Sequence, residues 1–77
     1  MKYIIVSINN LETPILFPGN VSHDFVAEKF GIPVISAGFV EFKVARDSFD
    51  VVAHCFGFSN SLGKCVREED ADLITAF

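Results

Sequence analysis

The chain has 77 residues, which sets a single domain over 1–77 and a marginal core, since a chain this short buries only roughly 60–65% of its unfolded surface. Its residues are 51% hydrophobic, with nine Phe and no Trp, which excludes disorder. The net charge is −4 and the six Lys and Arg are scattered, so there is no basic patch for DNA or RNA; no stretch approaches the roughly 20 apolar residues of a membrane span.

Lys2 to Ile8 alternates as a strand, with Ile4, Val6 and Ile8 on one side and Tyr3 and Ile5 on the other. Asn9-Asn10 predicts a two-residue hairpin turn, because Asn tolerates positive φ. Leu11 to Phe17 reads as the returning strand; Pro14 cannot donate to a ladder and places it at a sheet edge or gives it a bulge. A helix follows from Ser22, whose hydroxyl is suited to cap it, with Val21 and Val26 spaced as a hydrophobic staple. Its expected buried stripe is Phe25, Val26 and Phe30, with Glu28 and Lys29 wet. Gly31 fits a left-handed cap, and Pro33 prevents continuation.

Two strands come next, Val34 to Ala45 and Phe49 to Phe58, joined through Arg46-Asp47-Ser48. Both are apolar on both sides, where a sheet wet on one face should alternate. Val51, Ala53 and Cys55 point one way, and Val52, Phe56 and Phe58 the other. Ser59 to Lys64 is a polar connection, and Arg67 to Phe77 reads as a terminal helix with acids in its first turn and Leu73, Ile74 and Phe77 on its buried side. The resulting fold is α+β in the order ββαββα: one four-stranded antiparallel sheet with both short helices on one face. The opposite face then needs a cover, and Phe39, Val52, Phe56 and Phe58 are the candidate interface. A homodimer is the expected solution; the alternative is a strongly curled sheet that hides its apolar residues within a monomer.

Little in the chain points to catalysis or to a cofactor. His54 and Cys55 are adjacent, so on a strand they face opposite sides and cannot act as base and nucleophile. Asp50 and His54 share a side, an arrangement more often a surface polar pair than a catalytic one. His23, His54, Cys55 and Cys65 fall at no metal-ligand spacing, so no metal is expected. Gly57, Gly63 and Lys64 miss the phosphate-loop pattern, since Cys65 stands where Ser or Thr is required. Glu68, Glu69, Asp70 and Asp72 form a candidate acidic patch: as structure they complement the helix dipole, and as function they would face a basic protein surface. Two cysteines and no signal sequence at the start of the chain suggest free thiols in a cytoplasm.

Three stretches carry a resemblance: Glu12-Thr13-Pro14-Ile15-Leu16-Phe17-Pro18, Ile35-Ser36-Ala37-Gly38-Phe39-Val40, and Ser61-Leu62-Gly63 with Arg67 and Glu69-Asp70-Ala71-Asp72-Leu73-Ile74. Together they resemble a group of small uncharacterised phage and prophage proteins. The chain departs from that group at Val66 and Glu68, where Ser and Pro are expected around the Arg. The resemblance implies phage origin and brings no fold or activity with it. The missing catalytic motifs and the surplus apolar face lead instead to the expectation of a non-enzymatic phage or prophage accessory protein, in a bacterial cytoplasm, that acts through protein contacts. By analogy the resemblance suggests an alternative, an anti-defence inhibitor of the anti-CRISPR type that binds a host protein. A small ligand-binding protein or enzyme is the third possibility, and would require a pocket around Asp50, His54 or the 59–64 loop. If the apolar face joins two copies, Phe56→Asp should yield a monomer that keeps its fold. Light scattering coupled to size exclusion, with circular dichroism, measures both.

Overall fold

A computed structural model describes residues 1–44, 46 and 50–76. The strand ends expected at Ala45 and Phe49, the Asp47-Ser48 part of the connection and the helix position at Phe77 lie outside the described residues. The elements run β1 (Lys2–Ile8), β2 (Leu11–Phe17), α1 (His23–Phe30), β3 (Val34–Val44), β4 (Val51–Phe56), β5 (Phe58–Ser59), β6 (Lys64–Cys65) and α2 (Asp70–Ala76). This is an α+β fold with a four-stranded antiparallel sheet, ordered β2-β1-β3-β4. The expected ββαββα order is interrupted by the β5-β6 ribbon, which pairs only with itself. Gly57, at φ 78°, ends β4 and separates Phe58 from the strand the sequence pattern assigned to it.

The β1-β2 turn follows from Asn9 and Asn10, at φ 53° and 65°, the left-handed pair of a type I′ hairpin. β2 is an edge strand, as Pro14 requires. Gly31 closes α1 at φ 64°, its N–H donating to the Ala27 carbonyl at 3.1 Å. Ser22 stands at the helix start, but its hydroxyl makes no capping bond. It serves the Asp24 carboxylate instead, which holds that group below the ordinary range.

The two helices lie on opposite faces of the sheet, not on one. Tyr3, Ile5, Val40 and Ala53 pack under Ile74 of α2, with Leu73 and Cys55 alongside. Ile4, Val6, Phe17 and Ala37 pack under Val26 and Ala27 of α1. β1 is therefore buried on both sides, and Tyr3 through Val6 have no exposed surface. A single-sided arrangement would leave Ile4 and Val6 in water, at about 1.5–3 kcal/mol for each buried aliphatic side chain. The β5-β6 segment carries the chain between the faces: Leu62 packs on the α1 side and Val66 on the α2 side.

Facing α1 toward β1 and β2 changes which of its residues are buried. The inward positions are His23, Val26 and Ala27, whereas Phe25 is 54% and Phe30 44% exposed. The expected Phe25–Val26–Phe30 stripe thus holds only at Val26. Phe25 lies on the surface under the Lys29 ammonium, 5.2 Å from its ring centroid. His23 is held between the edges of Phe17 and Phe39, with Nε2 2.8 Å from the Gly38 carbonyl oxygen.

A bulge sits where β3 meets β1: Ile5 pairs with Ser36 and Val6 with Val34, which leaves Ile35 as the extra residue and turns it toward α2. Beyond the bulge Gly38 permits close approach. A Cβ there would lie 2.8 Å from the Phe56 carbonyl oxygen, a backbone atom that cannot step aside. Gly38→Ala should therefore lower stability by about 1–3 kcal/mol, as for an overpacked core site, measurable as a drop in the urea midpoint with an unchanged slope.

Candidate functional site

Two features of the surface and core stand out: a buried polar network beneath α2, and a two-stranded arm that leaves the body of the sheet.

The network centres on Asp70, which is fully buried. Its Oδ2 accepts the Tyr3 hydroxyl at 2.7 Å and the Arg67 backbone N–H at 3.0 Å, while its Oδ1 accepts Arg67 Nε at 2.9 Å. The Arg67 guanidinium also grips Glu12 of β2 through Nη1 and Nη2, at 3.3 and 3.0 Å, and reaches Glu69 at 3.2 Å. A buried carboxylate is tolerated only with such partners. Pairing with Glu12 raises the Arg67 pKa further and keeps the guanidinium charged. Burial first, and the Asp70 carboxylate second, push Tyr3 ionisation far above its ordinary value of 10.0. Burial likewise raises the Cys55 thiol, whose neighbours include Tyr3.

This separates the four acids of the expected patch. Asp70 faces the core, Glu69 is paired with Arg67, and Glu68 and Asp72 are exposed. The helix begins at Asp70 rather than Arg67, because the Asp70 carboxylate takes the Arg67 N–H and closes a turn ahead of it. α2 then crosses the sheet from Glu12 of β2 toward β4, where the Thr75 hydroxyl accepts the Ala53 N–H at 3.2 Å.

The arm begins where β1 ends. β3 pairs with β1 as far as Lys2 and Phe39, with a last bond from Val40 N–H to the Met1 carbonyl at 2.9 Å. Glu41 to Val44 continue past that point and pair only with Val51 to His54 of β4. α2 covers Ala53 with Ile74 and Thr75, but the apolar residues around it stay open: Phe42 is 45%, Val44 60%, Val51 55% and Val52 47% exposed. Alternation puts Phe42, Val44 and Val51 on the α2 side of the sheet, and Glu41, Lys43, Val52 and His54 on the α1 side.

The residues expected to line an interface fall into three settings. Val52 lies on the arm, and Phe56, 40% exposed, lies at its base with Phe39 stacked on it at 5.8 Å. Phe39 itself is half-buried against His23, and Phe58 sits on the separate ribbon, 56% exposed. The uncovered region is thus the far end of one hairpin rather than a whole sheet face. Sequence reasoning passed over Phe42, Val44 and Val51, although the run Glu41-Phe42-Lys43-Val44 alternates as a strand covered on one side does.

His54 is on the surface, stacked on Phe56 at 5.9 Å, and Cys55 points the other way toward Tyr3. Cys55 and Cys65 are free thiols. Among the described residues there is no pocket, no cluster of three metal-ligating side chains, and no helix long and apolar enough to cross a membrane. The chain matches no protein-family model, no curated protein and no solved structure.

The network makes a pH prediction. A phenol whose folded pKa is raised stabilises the fold below its unfolded pKa and loses that contribution as pH rises beyond it. Above pH 10 stability should therefore fall by up to about 1.4 kcal/mol per pH unit. Tyr3 is the only tyrosine, so tyrosinate absorbance should appear together with loss of circular dichroism, not before it. Tyr3→Phe should remove the Tyr3 share of the slope above pH 10, leaving that of the half-buried Cys55 thiol, and cost about 1–3 kcal/mol at neutral pH, because Asp70 loses a donor.

Proposed function

We propose that this is a non-enzymatic protein-interaction module whose working surface is the β3-β4 arm. The observation that carries this reading is the exposure of Phe42, Val44 and Val51 on one side, and Val52 on the other, of a hairpin whose far end extends beyond both helices. A chain with a marginal core gains nothing in its own stability from apolar residues held in water, and contiguous exposed apolar surface marks contact with another macromolecule. The sequence resemblance adds a setting, that of a phage or prophage accessory protein in a bacterial cytoplasm.

The inhibitor reading would draw on the acids as well as on the apolar patch. Glu68, Glu69 and Asp72 gather where α2 starts, on the β2 side, whereas the arm leaves from β3 and β4. The acids do not rim the apolar surface, so the arm alone supports contact better than a combined acidic and aromatic face does.

A photocrosslinking residue at Val52, compared with one at Lys29 on α1, tests the arm as the working surface. The expected result is a discrete protein adduct, to a second copy or to another chain, from position 52 and none from position 29. Equal labelling at both positions, or none at either, would overturn the proposal.

A further inference from the structure

Among the described residues, the β3 side of the arm is a strand edge with no neighbouring strand. Sheet extension elsewhere is obstructed. In a two-residue hairpin the pairs flanking the turn are hydrogen-bonded, so Glu12, Pro14 and Leu16 direct their backbone groups outward from β2, and Pro14 has no N–H to offer at the middle of that edge. On the β4 edge the outward N–H of Ala53 is already held by Thr75. The β3 side of the arm differs. Val40 N–H points toward β1 and is bonded to Met1, so Phe42 and Val44, two and four residues on, direct their N–H and C=O groups the same way. Among the described residues no strand lies beside them there.

We infer that two copies associate through this edge, antiparallel about a two-fold axis, with Phe42 of one copy opposite Phe42 of the other. This rests on the reading of the arm as the working surface and names its occupant. The charges select both the occupant and the register. With Phe42 at the axis, Glu41 of each copy lies directly opposite Lys43 of the other, on the same face, giving two ion pairs across the axis. With Lys43 at the axis, lysine would oppose lysine, which is unfavourable in directly opposed pairs. An axis at Glu41 would set Glu against Glu. An antiparallel pairing that a single sequence makes with itself needs a charge pattern that reads oppositely in the two directions, and Glu41-Phe42-Lys43 has one.

The same arrangement accounts for the apolar side of the arm. The two Phe42 side chains emerge on the α2 side, next to Val44 and Val51 of each hairpin, and form one strip across the joint. Val44 of the second copy falls opposite Val40, whose edge Met1 already holds, so each strand turns aside after Lys43, the paired segment is limited to Glu41–Lys43, and the contact is small for a protein interface. A dimer that dissociates on dilution through the micromolar range is expected, joined as one sheet in the order β2-β1-β3-β4 and its symmetric copy through the two β3 strands.

The test is a charge exchange read by analytical ultracentrifugation over a concentration series, on the full chain. Glu41 and Lys43 are exposed, so circular dichroism should report an unchanged fold in all variants. Wild type should dimerise. Glu41→Lys alone and Lys43→Glu alone should each weaken the dimer at least tenfold, and the double variant E41K/K43E should recover it, because opposite charges again face each other. A wild type that stays monomeric would overturn the inference and would mean that Glu41 and Lys43 guard the edge against pairing. So would a dimer indifferent to the single reversals, or one that the double exchange fails to restore. A monomeric wild type that still yields an adduct to another protein from position 52 would reject only this pairing and leave the arm as a surface for a different partner.

Discussion

Tyr3, Ile4, Ile5 and Val6 are fully buried, and neighbouring residues of a strand point to opposite faces, so the sheet must be covered on both sides along β1. With only two short helices available, one goes to each face. α1 covers Ile4 and Val6, α2 covers Tyr3 and Ile5, and the β5-β6 ribbon takes the chain from the first face to the second. Neither helix is long enough to follow β3 and β4 to their far ends. The exposed arm is thus the consequence of how the helices are used: cover is concentrated on the central strand, and the outer hairpin goes without.

The Asp70 network serves the same constraint. α2 is too short to be stable alone and offers only Leu73 and Ile74 to the core. Its position is set by directional bonds instead, from Tyr3 on β1 to Asp70 and from Arg67 to Glu12 on β2. These tie the start of the helix to two strands, while Thr75 fixes its end to β4. The acids at the start of α2 accordingly have unequal roles. Asp70 is a structural anchor, Glu69 helps to hold Arg67, and Glu68 and Asp72 are left to the solvent. The thiol of Cys55, raised by burial beside Tyr3, belongs to the same packed region.

Most of the elements were legible in the sequence because their signals are local. Asn9-Asn10, Pro14 and Gly31 each act through their own backbone conformation or missing donor, and each appears where that chemistry requires. The two-sided apolar character of β3 and β4 corresponds to burial only in the middle of β3, from Ser36 to Val40; on β4 Ala53 alone is buried, and the strand covered on both sides is β1. It did not indicate which segment supplies each cover, and the assignment of both helices to one face followed from counting helices rather than from the burial of Tyr3 to Val6. Phe25 and Phe30 show the same limit: helical spacing identifies a stripe, but which stripe turns inward depends on the face of the sheet the helix meets. Exposed apolar residues on the hairpin were expected at Val52 and Phe56 and missed at Phe42, Val44 and Val51, because where β1 stops relative to β3 is a matter of register between distant strands.

The sequence by itself determined the α+β class, the hairpin turn, the edge position of β2 and the ends of α1, since these depend on residues within a few positions of one another. The tertiary structure alone decided that the helices take opposite faces, that Asp70 is a buried anchor and not part of an acidic surface, and that the β3-β4 hairpin projects. Tyr3 and Asp70 are 67 residues apart, and Glu12 and Arg67 are 55 apart. Pairings of that span are selected by the summed burial and bonding of the whole fold, and no local pattern encodes them.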